Sequence, residues 1–337
     1  MVVACIGETM ALLTPHPPGE LEHASMLSLH AAGAESNVAQ YLADHGVAAC
    51  WVSRVGDDPF GRLVRREVAT RGVDVDAEVD PSRPTGVYFK HQGPAGTEVR
   101  YYRRGSAAAA MTPAILDRPM VRAAGALHLS GITPALSDSC HELVAAALRP
   151  GPNRAPLISF DVNWRPPLWA GGTDEPGDVL AGLARRADLV FVGLDEAATL
   201  WGCTGPAAVR EVLPEPRLLV VKDGSLAATA FDRANVAEVT VPALAVEVVD
   251  EVGAGDAFAA GVLAGAFRGL DLRGQLRLGH LTAVAALRVA TDHGPLLDAA
   301  TIDLLLRCGE ESWASTRFPT PAAAAASVAA QPAGSRG

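Results

Sequence analysis

Short apolar runs alternate with amphipathic stretches along most of this chain. The runs at residues 2–6, 49–52, 127–130, 157–162, 189–192 and 218–221 are short and do not alternate with polar residues, as expected of strands buried on both faces. Between them lie helices with readable ends. Asp58-Pro59 opens one that closes at Gly72, Ser137 opens another that closes near Arg149, and Asp195 opens a short one before Gly202. The pattern predicts an α/β fold, a doubly wound and mostly parallel sheet flanked by helices. Two stretches break the rhythm, 11–31 and 83–104. There polar and aromatic residues alternate with period two around Gly93-Pro94 and Gly96, which predicts antiparallel strands forming a small β lid. The core is then assigned to residues 1–10, 32–82 and 105–310. Residues 311–337 form a tail, Pro/Ala/Ser-rich from Phe318 onward and without periodicity, expected to be disordered.

The segment Asp250-Glu251-Val252-Gly253-Ala254-Gly255-Asp256-Ala257-Phe258 sits between an apolar run and an Ala/Gly-rich helix. Helix N-termini carry unpaired N–H donors and a partial positive charge, so Gly253, Ala254 and Gly255 could cradle a phosphoryl group while Asp256 takes a proton from a hydroxyl. Two other phosphate motifs fail here. The dinucleotide fingerprint needs a third glycine where Phe258 stands, and a P-loop needs a lysine after its last glycine. The chain has only Lys90 and Lys222, which follow Phe89 and Val221. Taken alone, the segment could equally be a tight strand-to-helix turn with an Asp in its first turn. A second motif, Ala32-Gly33-Ala34-Glu35-Ser36-Asn37-Val38-Ala39, reads as a glycine turn with Ser36 as N-cap of a helix running to Asp44 and stopping at Gly46.

With both elements present, in this order and well separated, the sequence resembles the ribokinase-like carbohydrate kinases, the PfkB family. The likeness covers roughly residues 3–305. It is strongest toward members acting on the sugar acid 2-keto-3-deoxygluconate, through GETM (7–10), GAESNVA (33–39), TGVYF (85–89), YYRRGSA (101–107), HLSGITPALS (128–137) and DVNWRPPLW (161–169). The resemblance implies a small-molecule kinase using ATP and Mg²⁺. Asp256 would be the base and residues 253–255 the anion hole. Gly33, Asn37, Tyr88, Tyr101, Arg103 and Arg165 would contact the sugar. Lys222, Gly224, Ser225, Gly253, Gly255 and His280 would contact the nucleotide. Glu196 would organise Mg²⁺ through water, and Asp250 would lie near a monovalent cation such as K⁺. Several positions depart from the family pattern. Gly193 replaces an asparagine, Ala227 a glycine, Glu251 a threonine, and His280 an asparagine that commonly flanks adenine.

The residues themselves support part of this. Tyr101 and Arg103 fall on one face of a period-two strand, and arginine binds carboxylate with two parallel hydrogen bonds. The bland alternative is that Arg100, Arg103 and Arg104 are a solvated edge that discourages strand pairing. Arg165 follows a buried strand, at the end where α/β folds bind ligands; otherwise it is a surface charge. Glu196 could be simply an exposed first-turn glutamate, and His128 reads as a core histidine.

Bulk properties narrow the classes further. A net charge of −10 argues against a nucleic-acid partner, which needs clustered Lys and Arg. No signal-peptide pattern and no apolar stretch near the roughly 20 residues of a membrane span are present, so a cytoplasmic location is expected. Cys5, Cys50, Cys140, Cys203 and Cys308 show no C-x-x-C spacing, which suggests neither a zinc site nor a disulfide framework. Oligomeric state stays open, a homo-oligomer included. Two alternatives remain to the sugar-acid kinase: a ketose (fructose-type) or nucleoside kinase of the same fold, and a sugar-binding regulator without catalysis.

Overall fold

The apolar runs become the middle of a nine-stranded sheet in the computed structural model, which describes residues 2–93, 96–151, 154–170 and 175–319. In chain order the strands are β1 (Val3–Ile6), β2 (Met10–Pro15), β3 (Leu27–Ala32), β4 (Ala49–Gly56), β5 (Asp74–Asp80), β6 (Val87–Gly93) and β7 (Gly96–Tyr102). They continue with β8 (Ala126–Ser130), β9 (Leu157–Asp161), β10 (Leu189–Gly193), β11 (Leu218–Asp223), β12 (Ala227–Asp232) and β13 (Ala237–Pro242). The large sheet runs β13-β12-β11-β10-β9-β8-β1-β4-β5. Only β12 is antiparallel to its neighbours. From β1 the chain builds outward through β4 and β5 on one side and through β8 to β11 on the other. This reversal opens a crevice at the carboxyl ends of the strands, where such folds hold ligands.

Helices cover both faces. On one, Ala34–Asp44, Ala254–Phe267 and Leu272–Leu287 pack over Val3, Cys5, Trp51 and Phe191. On the other, Asp138–Ala147, Pro176–Ala184 and Leu194–Trp201 pack over Ile6, Leu129, Phe160 and Val192. A separate four-stranded sheet, β3-β2-β6-β7, carries the two segments read as lid strands. Its outer pairs are antiparallel, but its central pair β2/β6 is parallel, against the all-antiparallel expectation. The reason is connectivity: β2 and β6 are separated in sequence by the helices and strands of residues 34–80, and only adjacent hairpin strands are forced to oppose one another.

Other expectations also shift. Strands β5, β12 and β13 carry no continuous apolar run; β5 reads Asp-Val-Asp-Ala-Glu-Val-Asp at the sheet edge, a period-two alternation that a search for unbroken apolar runs passes over. Ser36 is not the N-cap of its helix. Gly33 takes that place, and Ser36 lies inside, donating from Oγ back to the Gly33 carbonyl at 3.0 Å. The helix assigned to Asp195 begins at Leu194, and Glu196 caps it instead, accepting from Gly193 N at 2.9 Å. Pro94 of the lid turn lies outside the described residues. The tail is ordered further than expected: a helix spans Glu310–Ser315, and Trp313 is buried with Nε1 donating to the Pro242 carbonyl at 2.9 Å. Arg277, buried on Leu272–Leu287, stacks its guanidinium 4.8 Å from the Trp313 ring. It also donates to the carbonyls of Leu305, Leu306 and Cys308, at the end of helix Ala299–Arg307. Residues 320–337 of the expected disordered tail lie outside the described residues.

Candidate active site

Helix Ala254–Phe267 starts at Gly253, whose φ of +85° only glycine adopts without strain and whose Cβ, were there one, would meet the Asp292 carbonyl at 2.6 Å. The N–H groups of the turn are therefore presented at the sheet crevice with Asp256 one turn behind them. Asp256 is buried, and Asn37 Nδ2 donates to its Oδ2 at 2.9 Å while Asn163 Nδ2 approaches Oδ1 at 3.5 Å. Burial pushes its pKa up to about 7; the Asn37 hydrogen bond works the other way, and the Asp161 charge adds to the rise. A carboxylate so placed is poised to exchange a proton near neutrality. The Oδ1 atoms of Asn37, Asn163 and Asp161 are buried without a protein partner, three acceptors that a hydroxyl-rich ligand would satisfy. Asn163 sits at φ +39°, a left-handed conformation that asparagine tolerates better than most and that often marks a site. Gly33 is fixed by packing, since a Cβ there would lie 2.3 Å from the Glu8 carbonyl.

The ends of β9, β10 and β11 add a second charged row. Lys222 Nζ donates to Asp161 Oδ2 at 2.8 Å, and a Cβ on Gly255 would sit 3.5 Å from that ammonium, so Lys222 lies over the Gly253–Gly255 turn. Burial works against its charge, but Asp161 and Glu196 outweigh burial and raise its pKa. Gly224, at φ +49°, makes the tight turn from β11 into β12, with Ser225 exposed at its tip. Glu196 is not the exposed first-turn residue of the bland reading. Its side chain is 13% exposed, and its second oxygen accepts from Trp164 N at 2.8 Å. Burial raises its pKa against the pull of Lys222.

The lid residues separate into two groups. Tyr101 and Arg165 face the opening: Arg165 is 47% exposed, and its charge is felt by both Tyr101 and Asp256. Tyr88 pairs across the hairpin with Tyr101, rings 5.5 Å apart, but its hydroxyl donates to Asp292 Oδ2 at 2.9 Å and is not free for a sugar. Arg103 is likewise engaged. The strand ends at Tyr102, yet the Arg103 guanidinium still lies with Tyr101, 5.7 Å from its ring. Its Nε donates to Glu8 Oε2 at 2.6 Å, Nη2 pairs with the same oxygen, and Ser106 Oγ donates to Oε1. A carboxylate ligand would have to compete with Glu8 for that guanidinium.

Two further expectations are corrected. Asp250 does not face an open cation position: the Lys90 ammonium stands 3.0 Å from its Oδ2 and 2.8 Å from Asp292 Oδ1. The site does not fit K⁺ with that lysine in place. The adenine contact expected of His280 finds no support in the geometry. Its ring is buried between Phe258 and Trp313 with Nε2 at 3.2 Å from the Val241 carbonyl, and burial lowers its pKa to about 4. His128 is a core histidine, with Nδ1 at 3.0 Å from Ser159 Oγ. For Mg²⁺ the donor set does fit. Asp161 Oδ1 is unpartnered and Glu196 keeps lone pairs for water. Among the described residues, the one cluster of carboxylate and imidazole groups close enough to hold an ion directly is the exposed Glu20, Glu22 and His23, on none of these elements.

Sequence reasoning assigned no role to Glu8, Lys90, Asp161, Asn163 and Asp292. Glu8, Lys90, Asp161 and Asn163 stand in or beside the quoted motifs, but Asp292 has no local signal and is found only through its contacts.

A buried, neutral-poised carboxylate at a helix N-terminus, with a lysine over the turn, is an arrangement on a doubly wound sheet that could serve phosphoryl transfer. Comparison with known proteins places it further. The pfkB family carbohydrate kinase profile matches residues 2–297, and the chain belongs to that family. It is 35% identical over 291 residues to a 2-dehydro-3-deoxygluconokinase of Bacillus subtilis, covering 84% of this chain and 88% of that one. It is 32% identical to a 2-dehydro-3-deoxygluconokinase of Thermoproteus tenax, covering 90% and 94%. The structure of an uncharacterised sugar kinase of Pyrococcus horikoshii in complex with ATP superposes with a TM-score of 0.77 at 26% identity, covering 93% of this chain and 99% of that one.

Proposed function

We propose that this carbohydrate kinase transfers the γ-phosphoryl group of ATP to the primary hydroxyl of a sugar acid, 2-keto-3-deoxygluconate (2-dehydro-3-deoxygluconate), giving its 6-phosphate. The relatives named above support the reaction. The observation that carries the substrate class is Arg165, a half-exposed guanidinium beside Tyr101 and Asp256 at the opening of the site. Arginine matches a carboxylate with two parallel hydrogen bonds; Arg165 Nη1 stands 3.7 Å from Glu196 Oε1 and donates to the Trp164 carbonyl at 3.0 Å, and the rest of the half-exposed guanidinium is left for a ligand carboxylate.

The chemistry follows from the positions. The hydroxyl oxygen attacks the γ-phosphorus in line, the bond from that phosphorus to the β–γ bridging oxygen breaks, and ADP leaves. Asp256 accepts the hydroxyl proton, with Asn37 and Asn163 fixing its two oxygens. At a pKa of about 7 it is substantially ionised at neutral pH yet basic enough to take the proton late in a loose transition state. The N–H groups of Gly253, Ala254 and Gly255 and the Lys222 ammonium bear the charge of the transferred group. Hydrated Mg²⁺, held by Asp161 and Glu196, supplies neutralisation of phosphate charge when bound. The β2-β3-β6-β7 sheet covers the sugar and excludes water. Gly224 and Ser225 line the nucleotide side at the end of β11.

A cytoplasmic setting, where ATP is available, goes with this reading, as does the absence of nucleic acid from its partners. No helix among the described residues is long and apolar enough to cross a membrane. An ATP-depletion assay against sugar acids, ketoses and nucleosides tests the proposal. Turnover should be highest with 2-keto-3-deoxygluconate; a preference for fructose or a nucleoside would replace it.

A further inference from the structure

Lys90 belongs to β6 in the small sheet, yet its side chain is 3% exposed and leaves that sheet for the main body of the protein. There it stands between Asp250 and Asp292. These carboxylates belong to the two loops that fix the start of the phosphate turn. Asp250 braces the turn by accepting from Val252 N at 3.0 Å, and the Asp292 backbone presses on Gly253 from the other side. The arrangement carries an electrostatic problem. Two buried carboxylates repel each other, and both place negative charge beside a turn built to receive phosphate. A cation between them removes both difficulties.

Burial opposes the lysine's charge, but Asp292 and then Asp250 outweigh it, and its pKa is raised. The ammonium stays charged through the neutral range.

We propose that the Lys90 ammonium is the permanent, chain-borne cation of the phosphate turn, standing in for the monovalent metal ion expected at Asp250, so that this enzyme needs no K⁺. An ammonium and K⁺ are of similar size and both are bound by oxygen. The difference is the tether: a metal ion exchanges with solvent and tracks its concentration, whereas the lysine is always present. The inference rests on residues 253–256 being the phosphate turn, but not on the identity of the sugar.

The test uses the full chain, without substrate for melting and with ATP and sugar acid for rates, in KCl and in tetramethylammonium chloride at equal ionic strength. The parent protein should melt at the same temperature and turn over at the same rate in both salts. Lys90→Met should melt lower, by roughly 5 °C or more, because it leaves two buried carboxylates unpaired, and KCl or RbCl should restore part of that loss where tetramethylammonium does not. Lys90→Gln serves if the methionine variant does not fold, and the parent comparison decides alone if neither does. A parent protein stabilised or activated severalfold by K⁺ overturns the proposal, as does a folded variant that melts like the parent or shows no response to K⁺. Inactivity toward every sugar acid would sink the substrate assignment instead and leave the melting comparison intact.

Discussion

Asn37 donates from Nδ2 to Asp256 Oδ2 at 2.9 Å across 219 residues of sequence, joining the glycine turn of helix Ala34–Asp44 to the first turn of helix Ala254–Phe267. The bond fixes one carboxylate oxygen and leaves Asn37 Oδ1 free for a ligand hydroxyl. Asp256→Asn should fold as the parent does, being near-isosteric, and lose roughly 10²–10⁴-fold in kcat for want of a base. Steady-state kinetics beside a melting curve checks this. A folded variant within a few-fold of the parent would remove Asp256 from the chemistry.

The same carboxylate should set the pH dependence. Burial favours its neutral form and lifts its pKa to about 7, and the base works only as the anion, so kcat/KM should fall as pH drops through about 7. Asn37 opposes the shift, so Asn37→Ala should move the acid limb to higher pH, opposite to what a purely structural loss would produce. A pH profile of kcat/KM for both proteins decides between them.

Substrate should order the small sheet unevenly. Its inner strand β6 is already tied down by Tyr88 and Lys90 on Asp292, whereas β7 is exposed along most of its length. Hydrogen exchange with and without saturating sugar acid and a non-hydrolysable nucleotide should slow mainly at residues 96–102. Unchanged protection across residues 87–104 would mean that the sheet does not close over the sugar.

Arg165 should set the preference for acid over neutral sugar. A charge-assisted contact is worth about 1.5–3 kcal/mol, so Arg165→Met should lower the ratio of kcat/KM for 2-keto-3-deoxygluconate to that for fructose by roughly one to two powers of ten. Arg165→Lys should restore it in part, because lysine keeps the charge but not the planar fork. A ratio that stays put in both variants would transfer acid recognition to another residue.

Much of this was legible in the sequence for a physical reason: strands buried on both faces leave unbroken apolar runs, and a turn that must approach phosphate leaves glycines. What stayed hidden depends on side chains meeting across the fold. Arg103 looked free because its partner Glu8 lies 95 residues away, and Tyr88 looked free because its hydroxyl partner Asp292 lies 204 residues away. His280 looked available because helical position does not reveal which face Phe258 and Trp313 seal. One signal was in plain view. Among 28 lysines and arginines only Lys90 and Lys222 are lysines, and both end on carboxylates beside the Gly253–Gly255 turn, Lys90 buried and Lys222 one-fifth exposed. In a chain that otherwise uses arginine, those are the places where a compact point charge fits and a planar fork does not.

The clasp formed by Arg277, Trp313 and the end of helix Ala299–Arg307 bears on how the protein can be cut or fused. The family match stops at residue 297, yet a chain ended there would lose the carbonyls that Arg277 donates to and the indole it stacks on. Ile302, Leu305 and Trp313 would go with them, leaving the apolar residues they cover on helix Leu272–Leu287 open to water, so a homology-guided truncation should give a less soluble, lower-melting product. A boundary after residue 319 keeps the clasp whole, and that is where an affinity tag or fusion partner belongs; comparing soluble yield and melting temperature for chains ending at 297 and 319 would show it.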